Sequence, residues 1–120
     1  METHGVHHVS FAVRDLERSR AFYEGLLGLR VIDRPDLGIP GVWYRTGASE
    51  VHLIEHADAP GGPEKPSPLA NHCAFGIRDY DRTLAELEER GVELVAAISA
   101  SGQCWITDPD GNVIELIRAG

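Results

Sequence analysis

The sequence predicts an α+β fold made of two βαβββ modules, and three observations predict it. The chain repeats itself: residues 7–15 read HHVSFAVRD and residues 71–79 read NHCAFGIRD, identical at His8/His72, Phe11/Phe75, Arg14/Arg78 and Asp15/Asp79 at constant spacing. Toward the end of each half the match resumes, one residue out of step, between Val51-His52-Leu53-Ile54 and Ile114-Glu115-Leu116-Ile117. Between the halves, residues 56–69 read HADAPGGPEKPSPL, where four prolines and two glycines disfavour regular structure. A single domain over 1–120 is expected, with one module at 5–56, a linker at 57–69 and a second module at 70–118.

Each element has a local reason. Val9, Phe11 and Val13 alternate with His8, Ser10 and Ala12, the two-residue period of a strand with two different faces, and Cys73, Phe75 and Ile77 alternate likewise after His72. Asp15 and Asp79 stand where a helix N-cap belongs. Helical spacing follows in Leu16, Ser19, Tyr23 and Leu26 and again in Tyr80, Leu84 and Leu87, with Gly28 and Gly91 as terminators. Strands are then expected at 29–34, 42–46 and 50–55, and at 92–97, 103–107 and 112–117. Asp108-Pro109-Asp110-Gly111 carries the residues of a tight hairpin, with Gly111 free to take positive φ.

Composition narrows the classes of function. With 120 residues, 42% hydrophobic and 25% charged, the chain holds enough apolar material for one cored domain, which excludes disorder. Eleven Lys and Arg stand against nineteen Asp and Glu, for a net charge of −8, and no basic patch offsets it, so no nucleic-acid partner is expected. No apolar stretch is long enough to cross a bilayer, and the opening METHGVHH resembles no secretory leader, so a cytoplasmic protein without a membrane partner is expected. Cys73 and Cys104 each sit in an apolar, strand-like run and read as buried reduced thiols.

Strand parity selects the chemistry. If Val9, Phe11 and Val13 cover the helix, His8 points to the opposite face, and so does His72 in the second copy. His52 and Glu115 hold equivalent places on the last strand of each half. A lone strand histidine is ordinarily a hydrogen-bonded or exposed residue, but two equivalent histidines joined by two equivalent metal-competent groups are hard to explain by packing. Imidazole and carboxylate together suit one divalent transition metal, Zn, Ni, Co, Mn or Fe, better than Mg or Ca. Trp43, Arg45 and Trp105 have a spacing that places them near a substrate or in rim packing. His4, His7 and His56 lack equivalents of ligand type and read as surface groups, and the loop 34–41 reads as a strand connector. Glu86, Glu88, Glu89 and Arg90 form a solvated helix face.

Three stretches carry a family resemblance: residues 8–15, HVSFAVRD; residues 19–28, SRAFYEGLLG; and, after His72, residues 108–116, DPDGNVIEL. Over nearly its whole length the chain resembles the vicinal oxygen chelate superfamily, which includes glyoxalase I, bleomycin and fosfomycin resistance proteins, methylmalonyl-CoA epimerase and extradiol dioxygenases. The resemblance implies a glyoxalase/bleomycin resistance/dioxygenase-like fold, in which two βαβββ modules form a cupped mixed sheet around a metal. It implies His8, His52, His72 and Glu115 as metal ligands converging on a common point, within one chain or across a homodimer, and Glu115 as the catalytic base. The sequence departs from glyoxalase I and the epimerase at His52, where those favour Glu or Gln, so Glu115 is the only carboxylate among the four. A metal-dependent lyase or isomerase acting on a small molecule with adjacent oxygens is therefore expected. The alternatives are an Fe(II) extradiol-type dioxygenase using His8, His72 and Glu115, with His52 beside the metal or acting as a base, and a metal-free antibiotic-sequestering protein.

Overall fold

A computed structural model describes residues 1–120. The chain divides into two compact units, Met1–Gly61 and Gly62–Gly120. The first unit runs β1 (His8–Val13), α1 (Leu16–Arg20), a π-helical segment (Ala21–Leu26), β2 (Arg30–Ile32), β3 (Gly41–Thr46) and β4 (Ser49–Glu55). The second runs β5 (His72–Ile77), α2 (Tyr80–Glu89), β6 (Ala96–Ile98), a single 3₁₀ turn (Ser99–Ser101), β7 (Gln103–Thr107) and β8 (Val113–Arg118). Each unit is therefore βαβββ, as the repeat predicts.

Each unit builds one four-stranded mixed sheet, in the order β1-β4-β3-β2 and β5-β8-β7-β6. The first and last strands of a unit pair in parallel, and the remaining pairs are antiparallel. Parallel pairing demands a crossover, and the helix supplies it. The last strand of each unit consequently lies between two neighbours, which is why Val51, Leu53, Ile114 and Leu116 are buried.

The helices start where the aspartates say. Asp15 Oδ1 accepts the Arg18 amide at 3.1 Å, and Asp79 Oδ1 accepts the Arg82 amide at 3.0 Å. Glu55 helps at the first start, accepting the Leu16 amide at 2.8 Å, so its side chain serves the helix rather than the opposite sheet face. The helix-facing strand residues meet aromatic partners: Phe11 lies 5.7 Å, centroid to centroid, from Tyr23, which is fully buried.

Two expectations need correction. The first helix is not a uniform α-helix to Gly28: after Arg20 it widens to a π-helix, with the Leu27 amide donating to the Phe22 carbonyl at 3.0 Å, five residues back. Widening lets Tyr23 point into the core while Glu24, the next residue, accepts the Tyr44 hydroxyl at 2.6 Å. Tyr44 is fully buried, and desolvation pushes its phenol above the ordinary range. The edge strands are also shorter than their apolar patterns: β2 covers 30–32 rather than 29–34, and β6 covers 96–98 rather than 92–97. An edge strand has one neighbour, so its length is set by pairing, here Arg30 to Ile32 on β3 and Ala96 to Ile98 on β7.

The Asp108–Gly111 turn forms as read, with Gly111 at φ 83° and the Asp108 amide donating to the Asn112 carbonyl at 2.9 Å. No helix is long and apolar enough to cross a membrane. Both cysteines are unpaired, and burial raises their thiols above the usual range.

Candidate metal-binding site

The two units place their candidate residues by the same register. In the first, Ser10 of β1 is the partner of His52 on β4, so His8 lies diagonally across from His52 on the same face, while Trp43 on β3 sits directly opposite His52. In the second, Ala74 of β5 is the partner of Glu115 on β8, His72 is the diagonal neighbour, and Trp105 on β7 sits directly opposite Glu115. His52 and Glu115 are each 7% exposed, an unusual depth for either group without a partner.

In the first unit three rings stack. His52 lies between His8, 4.1 Å away with planes 14° apart, and Trp43, 4.2 Å away with planes 8° apart. Its Nε2 meets Glu50 Oε1 at 2.9 Å, and Arg45 holds the other carboxylate oxygen of Glu50 at 3.2 Å. The His52 hydrogen bond, with help from Arg45, keeps the Glu50 carboxyl below its ordinary range. His8 and His7 approach through their Nδ1 atoms at 2.9 Å. His56 instead accepts the Asp58 amide, as a turn residue.

In the second unit the pair is direct. His72 Nε2 lies 2.9 Å from Glu115 Oε1, while His72 Nδ1 lies 2.7 Å from the Ala70 carbonyl. A carbonyl only accepts, so Nδ1 carries a proton. The neutral ring then presents its Nε2 lone pair to an ionised carboxylate oxygen, and two acceptors at that distance repel unless a positive charge joins them. Protonation is one way, and the Ala70 carbonyl followed by Glu115 accordingly raises His72 above the ordinary histidine range, against the cost of desolvation. A divalent cation is the other, and an imidazole nitrogen beside a carboxylate oxygen is a donor set that suits it. Nowhere in the chain do three His, Cys, Asp or Glu side chains gather at ligating reach.

Glu115 is held at both oxygens. Gln103 Nε2 donates to Oε2 at 3.1 Å, and the Gln103 carbonyl oxygen in turn accepts the Ser101 hydroxyl. Trp105 stands edge-on to His72, with planes 85° apart, and its indole N–H points at His72 Nε2 from 3.4 Å. Trp43 and Trp105 thus lie against candidate ligands, while Arg45 is engaged with Glu50. Sequence reasoning passed over Glu50 and Gln103. Parity offered a signal, because Glu50 stands two residues before His52 and Gln103 two before Trp105, on the same faces.

Known proteins share this arrangement of sequence and fold. Residues 5–116 match the family described as Glyoxalase/Bleomycin resistance protein/Dioxygenase superfamily. The chain is 31% identical to Glyoxylase I 4 of Arabidopsis thaliana, covering 92% of this chain and 68% of that one. It is 29% identical to the metallothiol transferase FosB of Staphylococcus epidermidis, covering 97% and 82%. A glyoxalase/dioxygenase structure from Nostoc punctiforme superposes with a TM-score of 0.80 at 25% identity, over 97% of this chain and 91% of that one.

Proposed function

Because the chain belongs to the glyoxalase/bleomycin resistance protein/dioxygenase superfamily, we propose that it is a divalent-metal-dependent enzyme of glyoxalase type, a lyase or isomerase acting on a small molecule with adjacent oxygen atoms. The observation that carries this reading is the His72–Glu115 contact, a part-buried nitrogen–oxygen pair at 2.9 Å whose donor set suits a divalent cation. His8, His52, His72 and Glu115 are the proposed ligands, for Zn, Ni, Co, Mn or Fe(II). Relatives named for glyoxalase and metallothiol transferase activity support an enzyme reading.

When bound, the metal supplies Lewis-acid stabilisation of the negative charge that develops on the substrate oxygens. The protein's own groups do the rest. Glu115 is the general base that moves a proton at carbon, and the Gln103 amide steadies Oε2 for that purpose. The Ala70 carbonyl fixes the His72 ring. Trp43 shields His52 and Trp105 shields His72 from water, and Arg45, with its side chain 48% exposed, attracts an anionic substrate. The two unpaired cysteines suit a reducing compartment, the cytoplasm, and a homodimer is the proposed assembly.

One observation favours a second reading. His72 and Glu115 pair directly, and with His8 they make the two-histidine, one-carboxylate set of Fe(II) oxygenases, with His52 then beside the metal or acting as a base. Reconstitution of the metal-free chain with each metal in turn separates the readings. Lyase or isomerase action predicts solvent-deuterium incorporation into α-hydroxycarbonyl compounds. Oxygen uptake with catechols under Fe(II) alone supports the dioxygenase, and ligand binding without metal or turnover supports the sequestering protein.

A further inference from the structure

We infer that Glu50 is a positioning residue that fixes the tautomer of His52, so that His52 offers Nδ1 as its lone pair. A carboxylate only accepts, so the 2.9 Å approach of Glu50 Oε1 to His52 Nε2 places the ring proton on Nε2. Glu50 is kept in place because Arg45 holds its second oxygen at 3.2 Å. The ring cannot easily turn over and carry Nε2 away from Glu50, since His8 and Trp43 stack on its two faces at 4.1 and 4.2 Å. In the second unit both ring nitrogens of His72 face an acceptor: the Ala70 carbonyl meets Nδ1 at 2.7 Å and Glu115 Oε1 meets Nε2 at 2.9 Å.

The asymmetry has a sequence origin. His52 and Glu115 occupy equivalent positions on β4 and β8, and the repeat supplies a histidine on one and a carboxylate on the other. A histidine at the last-strand position needs an acceptor of its own, and Glu50, one strand period earlier on the same face, provides it. In metal binding this role depends on the metal-dependent reading above, whereas the tautomer depends on the hydrogen bond alone. An acceptor on the far nitrogen of a ligating histidine orients the ring and raises its basicity, and losing such a group typically weakens metal binding by about 10–100-fold.

The test is long-range ¹H–¹⁵N correlation of the histidine rings in metal-free, ¹⁵N-labelled protein at alkaline pH, with His52→Gln and His72→Gln used for assignment. The expected spectrum shows His52 protonated at Nε2. In Glu50→Leu the His52 ring should pass to a mixture of tautomers while His72 is unchanged, and Co(II) affinity should fall by about 10–100-fold. Arg45→Gln, which frees Glu50 without removing it, should shift His52 in the same direction by less, and serves if Glu50→Leu does not fold. His52 protonated at Nδ1 in the unsubstituted protein, or a ring unmoved by both variants, overturns the assignment. Unaltered Co(II) affinity in Glu50→Leu overturns the positioning role. If the unsubstituted protein binds no Co(II), the metal-dependent reading falls, and the tautomers are judged by the spectra alone.

Discussion

Gln103→Leu removes the one side chain that the structure shows holding the outer oxygen of Glu115. The Gln103 amide donates to Oε2 at 3.1 Å, and Glu115 is 7% exposed, so water replaces that donor poorly. A hydrogen bond to a charged partner contributes about 1.5–3 kcal/mol net. The distance is at the long end and Gln103 itself is half-buried, which puts the expected loss near about 1.5 kcal/mol. For a chain of this length that corresponds to a fall in Tm of about 6 °C. Chelator-treated protein should be used, so that no metal contributes, with unfolding followed by circular dichroism. A double-mutant cycle with Glu115→Leu isolates the pair and should return a coupling of about 1 kcal/mol. A fall of less than about 2 °C, or a coupling below about 0.3 kcal/mol, would refute the claim that Gln103 holds Glu115.

Three further outcomes follow from contacts within single units. Asp108 is 4% exposed and accepts the Asp110 amide, the Asn112 amide and the Asn112 side chain, each at 2.9 Å; Asp108→Ala should cost about 2–4 kcal/mol in urea denaturation, and a loss within error would mean the turn holds without it. Gly62→Ala would set a Cβ 1.7 Å from the Gly111 carbonyl oxygen, whereas Gly25→Ala meets nothing within 4 Å. The first should destabilise by about 1–3 kcal/mol and the second should be tolerated in thermal melts; equal melts would contradict the packing. The Ala70 carbonyl first, and Glu115 after it, raise the His72 pKa, so these contacts stabilise the metal-free fold fully below the ordinary histidine pKa of about 6.5 and fade as pH rises through the raised value. The stability gap between the protein and His72→Gln should therefore narrow with increasing pH, and a gap independent of pH would contradict the raised pKa of His72.

Local patterns made much of this legible. The strand faces, the caps at Asp15 and Asp79 and the hairpin at Asp108–Gly111 depend on residues within a few positions of one another, and each formed where the pattern put it. The widening after Arg20 did not show, because it answers to Tyr44 on a strand about twenty residues away, whose hydroxyl seeks Glu24. The ends of β2 and β6 were illegible for a related reason: their apolar residues read as longer strands, but pairing with β3 and β7 decides where they stop. At the site, parity put His8 and His52 on one face and His72 and Glu115 on another. Which ring nitrogen carries the proton depends on Glu50 and on the Ala70 carbonyl, and only coordinates reveal those contacts.

The central claim is that these groups hold a metal, and elemental analysis of protein purified without added metal or nickel affinity tests it most directly. The account predicts about one divalent transition metal per chain, lost in His72→Ala because that imidazole supplies a ligand. Iron as that metal would transfer the assignment to the dioxygenase. No metal in the purified protein, and none retained after incubation with Zn, Ni, Co, Mn or Fe(II), would contradict the account.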